Sequence, residues 1–458
     1  MSTGDETEGI GLKPILIYSQ AQTGLNLCAT LIALHLLYFY TDRRGLSPAL
    51  AGLAFFIALV LDAVTDPLVG NISDRARFRS GRRRPFFLAA LPMALGYFML
   101  FSPPEGLKRG LFAWFVGFYF LMLSSRKFYE TAYGALMPEL TLDYDERTRL
   151  STFRQLFGTA GDISGALLPF AATYLLARGL DFRVTGALCA LVVAGGALWA
   201  FFGLVERAEF SLRESSGFFE ALRSAGSNRP FLILLAATVL AFMAVNTTGV
   251  LIRFLAKYWY HDEGAAARWL IAYFAGSLMS YPFWFRVTIR IEKKPAFLLA
   301  MLTNALCSLL MMALHPGNVA AIYFLMWLAG FGAIGIWVTQ MSAAADVIEW
   351  DEERTGRRQE GAYGGIMSMS AKMGVAVTML AVGPAMAAVG YVPHEAAMAP
   401  AAAHNLKVLF SIPAASIYIA SAIVFSFYPI TRDSHRQMRE RLAARGTAGA
   451  QTGIESTA

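Results

Sequence analysis

The chain has 458 residues, 56% hydrophobic and only 16% charged, with 34 Phe, 19 Met and 40 Gly. Soluble domains carry about 25% charged residues, so this composition excludes one and indicates an all-α polytopic membrane protein. The formal charge of +7 does not signal nucleic-acid binding, because the basic residues cluster in short loops between apolar runs, as membrane orientation requires.

Met1 to Gly9 is polar and acidic, so no cleavable signal peptide is expected. About 20 apolar residues span a bilayer, and twelve such runs follow. They lie near Leu12–Tyr40, Ser47–Ile72, Pro85–Ser102, Gly110–Met137, Leu150–Leu176 and Phe182–Val205. After a polar interval come Pro230–Trp259, Arg268–Arg286, Pro295–Leu314, Asn318–Ala345, Ala362–Val389 and Leu406–Phe427. This gives a six-helix half over 1–205, a cytoplasmic linker at 206–229 and a second half over 230–430. The segment 431–458 is a cytoplasmic tail, expected to be disordered where Gly, Ala, Thr and Ser dominate after Arg445. Cys28, Cys189 and Cys307 all fall within apolar runs at no metal-like spacing and read as packing residues.

Lys and Arg in alternate loops total 23 on one side and 8 on the other. The excess places both termini and the linker in the cytoplasm of a multi-pass cell membrane, read as a bacterial inner membrane. The loops also repeat. Asp143-Tyr-Asp145-Glu-Arg147-Thr-Arg149 follows the fourth run, and Glu349-Trp-Asp351-Glu-Glu-Arg354 follows the tenth. Arg84-Pro85-Phe86 is echoed by Lys294-Pro295-Ala-Phe297. Matching loops at matching positions indicate a duplicated six-helix unit.

An ionisable residue inside a span costs several kcal/mol unless paired or hydrated. Asp62 and Asp66 are four residues apart and share one helix face. Two neighbouring carboxylates need a cation or proton to stay cheaply charged, so they are candidates for a coupling-ion site. Arg126, Lys127 and Glu130 lie within the fourth run. Lys127 can pair with Glu130 along the helix or reach across to Asp62 or Asp66. Arg154 either snorkels or faces a cavity, while Asp162 is deeper and faces a cavity or an internal partner. Arg253 and Lys257 share a face of the seventh run, and Lys372 lies mid-span in the eleventh. Trp337 can stack on a sugar face or simply pack. Gly330, Gly332 and Gly335 are expected to loosen the tenth helix, and Gly361, Gly364 and Gly365 the eleventh.

Three motifs then point to one family. They are Asp62-x3-Asp66-Pro67-x2-Gly70 with Gly81-Arg82-Arg83-Arg84-Pro85, Pro138-Glu-Leu-Thr-x-Asp-Tyr-Asp145-Glu-Arg147-Thr-Arg149, and Ala345-Asp346-x-Ile348-Glu349-Trp350 with Thr355-Gly-Arg-Arg-x-Glu360-Gly361. Together they resemble the glycoside–pentoside–hexuronide:cation symporters over nearly the whole chain. The resemblance implies a major facilitator fold, symport by alternating access, a monomer, and no cofactor beyond a coupling ion. It also implies that Asp62 and Asp66 form the cation site. Glu130, Arg154, Trp337 and Lys372 fall on sugar-site positions. A sugar-binding Asp of the family is Asn26 here, a flanking Trp is Gly134, and a Thr at the sodium site is Lys127.

A lysine beside two aspartates favours H+ over Na+ as coupling ion. The expected function is symport of a sugar or glycoside-like solute, with an anionic one allowed by Arg126, Lys127, Arg154, Arg253 and Lys372. A lysophospholipid or amphiphile carrier of the same fold is the alternative. An enzyme is not expected, because the histidines form no nucleophile–base or metal constellation. Asp74, Arg82, Arg83, Asp145, Arg147, Asp351 and Arg354 are expected to latch the halves as the protein changes conformation. A small solute and the bilayer are the expected partners.

Overall fold

A computed structural model describes residues 11–75, 84–140, 144–176, 182–204, 225–356, 360–393 and 398–441. Every regular element among them is helical. In chain order the long helices are α1 Leu12–Leu31, α2 Pro48–Arg75, α3 Ala90–Phe101, α4 Leu111–Leu140, α5 Tyr144–Leu176 and α6 Phe182–Gly203. There follow α7 Arg229–Phe254, α8 Ala265–Arg290, α9 Lys293–Ala313, α10 Val319–Thr355, α11 Glu360–Ala388 and α12 Pro400–Ser426. π-Helical turns at Ile32–Leu36 and Phe39–Arg43 carry α1 onward, and one at Leu255–Trp259 extends α7.

Eight of these helices are long and apolar enough to cross a membrane. The other four, α1, α4, α5 and α8, carry more polar residues, and three of them hold the cluster described below. Large apolar side chains on the outer faces, such as Leu191, Phe202, Phe285 and Phe427, are exposed. In an oily solvent that arrangement needs no further covering.

The chain forms two compact units that are not contiguous in sequence. The first comprises 1–214 with 249–267 and 376–406; the second comprises 215–248, 268–375 and 407–458. Thus α7 and α11 each contribute a segment to both units. In the first unit α1 and α5 pack through glycines: a Cβ at Gly161 or Gly165 would collide with the carbonyl oxygens of Thr23 or Leu27. Rings fill the space beside this seam, with Tyr40 stacked on Phe115 at 4.1 Å and Tyr18 on Tyr133 at 4.4 Å. All three cysteines are free and buried.

The second unit is built around Phe231, Trp284, Phe297, Tyr363 and Phe425. Its seam between α8 and α10 is also glycine-packed, with Gly330 under the Tyr273 carbonyl and Gly276 under that of Trp327. The tenth helix is therefore not loosened by its glycines. It runs unbroken for 37 residues, and Gly332 and Gly335 receive the Asn304 amide and the Trp284 ring. The eleventh is likewise continuous over Glu360–Ala388. The expected disorder does not begin at 431, since 432–441 is helical and docks through His435 onto Glu349, 3.0 Å away.

Candidate functional site

Helix α2 carries Asp62 into the interior of the first unit, where the residue is 1% exposed. Opposite it, α4 presents Lys127, 8% exposed. The ammonium Nζ lies 3.0 Å from Asp62 Oδ1 and donates to the Asp62 carbonyl at 2.5 Å. Lys127 has thus reached across to α2. Its expected pairing with Glu130 is replaced by Arg126, whose Nε and Nη2 donate to Glu130 Oε1 at 2.8 and 2.6 Å. Arg126 and Lys127 both lie within one turn of Glu130, but Lys127 is engaged across the helix gap by Asp62, which leaves Glu130 to Arg126. Asp66 continues α2 one turn beyond Asp62; its side chain is outside the described residues.

A second set of polar groups lies on the α1–α5 seam. Arg154 Nε donates to Gln22 Oε1 at 2.9 Å, Gln22 Nε2 to Asn26 Oδ1 at 2.7 Å, and Asn26 Nδ2 to Asp162 Oδ2 at 3.0 Å. Thr30 Oγ1 donates to the other Asp162 oxygen at 2.8 Å. Every bond points the same way, from a guanidinium at one end to a carboxylate at the other. Asp162 is held by an amide and a hydroxyl, so its free acceptor capacity suits hydroxyl donors. Arg154 also lies 5.0 Å from the Tyr133 ring centroid. Gly134 is seven residues beyond Lys127 and four beyond Glu130, on their face of α4. Among the described residues, nothing lies within 4 Å of where its Cβ would sit.

In the second unit Trp337 of α10 is 43% exposed and meets Phe242 edge-on at 4.9 Å. Lys372 is half-buried on α11. No group of three or more His, Cys, Asp or Glu side chains able to hold a metal occurs among the described residues.

The family profile "MFS/sugar transport protein" matches residues 17–432. This chain belongs to that family. It is a multi-pass membrane transporter and not an enzyme. The transporter is 30% identical to "Putative glycoside/cation symporter YagG" of Escherichia coli, across 90% of this chain and 92% of that one. It is 27% identical to the isoprimeverose transporter of Lactiplantibacillus pentosus, across 84% and 82% of the two chains. Among solved structures it resembles the nucleoside transporter NupG with a TM-score of 0.65 at 13% identity, covering 91% of this chain and 99% of that one. That last likeness is one of fold.

The transporter carries a further cluster that sequence reasoning missed. At the end of the first unit bearing Arg43 and Glu263, Asp42 is 4% exposed. Lys257 Nζ donates to its Oδ2 at 2.6 Å, and the hydroxyls of Tyr258 and Tyr391 donate to its Oδ1. Arg43 Nη2 donates to Glu263 Oε1 at 2.9 Å, and Tyr38 donates to the same oxygen. Burial pushes the Asp42 carboxyl up, but the hydrogen bonds from Lys257 and Tyr258 outweigh it and hold the group below the usual carboxylate range. The one hint in the sequence was an acid just beyond the first apolar run, with Lys257 at the far end of the seventh.

Arg253, expected at the solute, is instead enclosed. It is 1% exposed, with its guanidinium carbon 4.3, 4.7 and 5.5 Å from the ring centroids of Tyr38, Phe170 and Phe182. Its Nη1 lies 2.8 Å from His35 Nδ1.

Of the expected latch residues, Asp351 is 1% exposed, with its Oδ1 4.0 Å from Arg354 Nη2. Arg354 also donates to the Ser227 carbonyl at 3.0 Å. Asp74, Asp145 and Arg147 lie on helices, but their side chains are outside the described residues, as are Arg82 and Arg83 altogether.

Proposed function

We propose that the chain is a secondary active transporter that couples entry of a sugar or glycoside-like solute to a cation, with H+ as the coupling ion. The observation that carries this reading is the Lys127–Asp62 contact. Asp62 and Lys127 form a buried acid–base pair on facing helices, a place where a coupling ion could exchange. A sodium ion needs several oxygen ligands, and Lys127 already occupies one carboxylate. A proton needs a single oxygen atom. The Asp62 carboxylate would load it from outside, and closure around the loaded site would carry ion and solute together.

The solute site in this reading runs along Gln22, Asn26, Arg154 and Asp162 of the first unit, with Glu130 at its edge. Of the basic residues that allowed an anionic solute, Arg126 is engaged by Glu130, Lys127 by Asp62, Arg154 by Gln22 and Arg253 by His35. That favours a neutral glycoside. The open space at Gly134 supports a second reading, a lysophospholipid carrier whose acyl chain would lie against α4. The two separate in a thermal-shift screen of the purified protein against glycosides, uronides and lysophospholipids, with and without sodium. Glycosides are expected to raise the melting temperature independently of sodium; stabilisation by lysophospholipids alone would overturn the sugar reading. The orientation proposed is an inner-membrane one, both termini cytoplasmic, which makes the Asp42 end the outer end.

A further inference from the structure

The His35–Arg253 pair has a property that follows from donor and acceptor chemistry. Arginine carries only donors and does not deprotonate. At 2.8 Å from Arg253 Nη1, His35 Nδ1 must therefore be the acceptor. Its Nε2, 2.9 Å from the Ala166 carbonyl, must be the donor. Both ring nitrogens are committed and the imidazole is neutral. A proton on Nδ1 would set N–H against N–H and a second positive charge beside the first, in a site where His35 is 0% exposed. The Arg253 contact and a protonated His35 exclude one another. Arg253 is also held poorly for a buried guanidinium: its Nε and Nη2 have no hydrogen-bond partner, which is costly. Its place on α7 lies within the segment 249–267 that joins the first unit, whereas residues 229–248 of the same helix belong to the second.

We propose that His35 is a proton-binding site that fills only when Arg253 withdraws, so that an external proton and the closed outer end compete. This rests on the alternating-access reading above. On opening, α7 moves away and water delivers a proton to His35 Nδ1. On closing, that proton returns to water and the freed lone pair accepts the Nη1–H of Arg253. Acid outside would thus hold the transporter open toward the side from which it loads.

The titratable groups nearest the pair are Tyr38, Asp42 and Arg43 from the segment that follows α1, and Lys257 and Glu263 from the segment after Arg253. Asp42 cannot mimic the effect. Its folded-state pKa is depressed, so its stabilisation is full above the ordinary carboxylate value of about 3.9 and disappears only as pH falls through a lower one. It stays ionised through the range tested.

The test uses spin labels at Ser47→Cys and His261→Cys, both exposed positions of the first unit, with Cys28, Cys189 and Cys307 replaced by alanine. Pulsed electron-resonance distances are read at pH 8 and pH 5.5. Because only the open state can take the proton, acid should raise the ratio of long to short distances several-fold over that interval. His35→Gln keeps an acceptor for Arg253 and a donor for Ala166 but cannot titrate, and should show no pH response. Glu263→Gln should keep the response. An unresponsive parent, a response that survives His35→Gln, or one lost in Glu263→Gln would overturn the proposal. Should His35→Gln not fold, 15N-histidine spectra of the unaltered protein at pH 8 decide: the solvent-shielded ring must be neutral with its proton on Nε2, and a proton on Nδ1 overturns the site. Asp42→Asn separates the two levels of argument. If it lengthens the distances at pH 8 while acid does not, only the proton site fails. If neither does, the movable outer end fails with it.

Discussion

At the scale of single residues, the first unit pairs nearly every buried charge with a specific partner, and the exceptions are informative. Lys127 is the side chain on which the coupling argument turns. Removing one member of a buried ion pair strands the other, at a cost of about 3–5 kcal/mol. Lys127→Ala should therefore lower the melting temperature sharply in sodium-free buffer. With the built-in cation gone, sodium chloride should restore part of the loss and choline chloride should not. A variant that melts like the parent would show that Lys127 is not what neutralises Asp62. The pairing of Asp62 with Lys127 was legible in the sequence as one of two options for that lysine. The other, Glu130, is closed off because Arg126 takes it. Asp162 was legible as buried but not as the end of a polar ladder, because its partners Asn26 and Thr30 stand more than 130 residues away.

At the scale of elements, hydropathy marked twelve apolar runs, and eight of the helices among the described residues are long and apolar enough to cross a membrane. It missed their ends for a physical reason. The α10 helix continues ten residues past Ala345 through Asp346, Glu349, Asp351 and Glu352 to Thr355, because backbone hydrogen bonding persists where the chain leaves the membrane although apolarity does not. The glycines were misread in the same way: hydropathy cannot tell a glycine that breaks a helix from one that admits a neighbour's carbonyl. Gly134 is of neither kind, with open space in front of it. Gly134→Trp should fold and melt within a few degrees of the parent, yet lose uptake of a disaccharide by at least tenfold, measured in proteoliposomes. Retained uptake would move the solute away from this face of α4.

At the scale of the whole molecule, the duplicated loops were read as two consecutive six-helix halves, whereas the compact units draw on non-contiguous segments of the chain. The sequence could not reveal that α7 and α11 each lend a segment to the first unit. Nor could it reveal the Asp42–Lys257 contact, which joins residues 215 apart and exists only when those segments meet. The central claim is that the Asp62 carboxylate, paired with Lys127, carries a proton whose entry drives the solute. It is tested most directly by uphill accumulation of a labelled glycoside in proteoliposomes under an imposed pH gradient, without sodium, for the parent and for Asp62→Asn. The parent should concentrate the solute several-fold, while the variant should equilibrate it without concentrating it. Accumulation that requires a sodium gradient, or that survives in Asp62→Asn, would contradict the account.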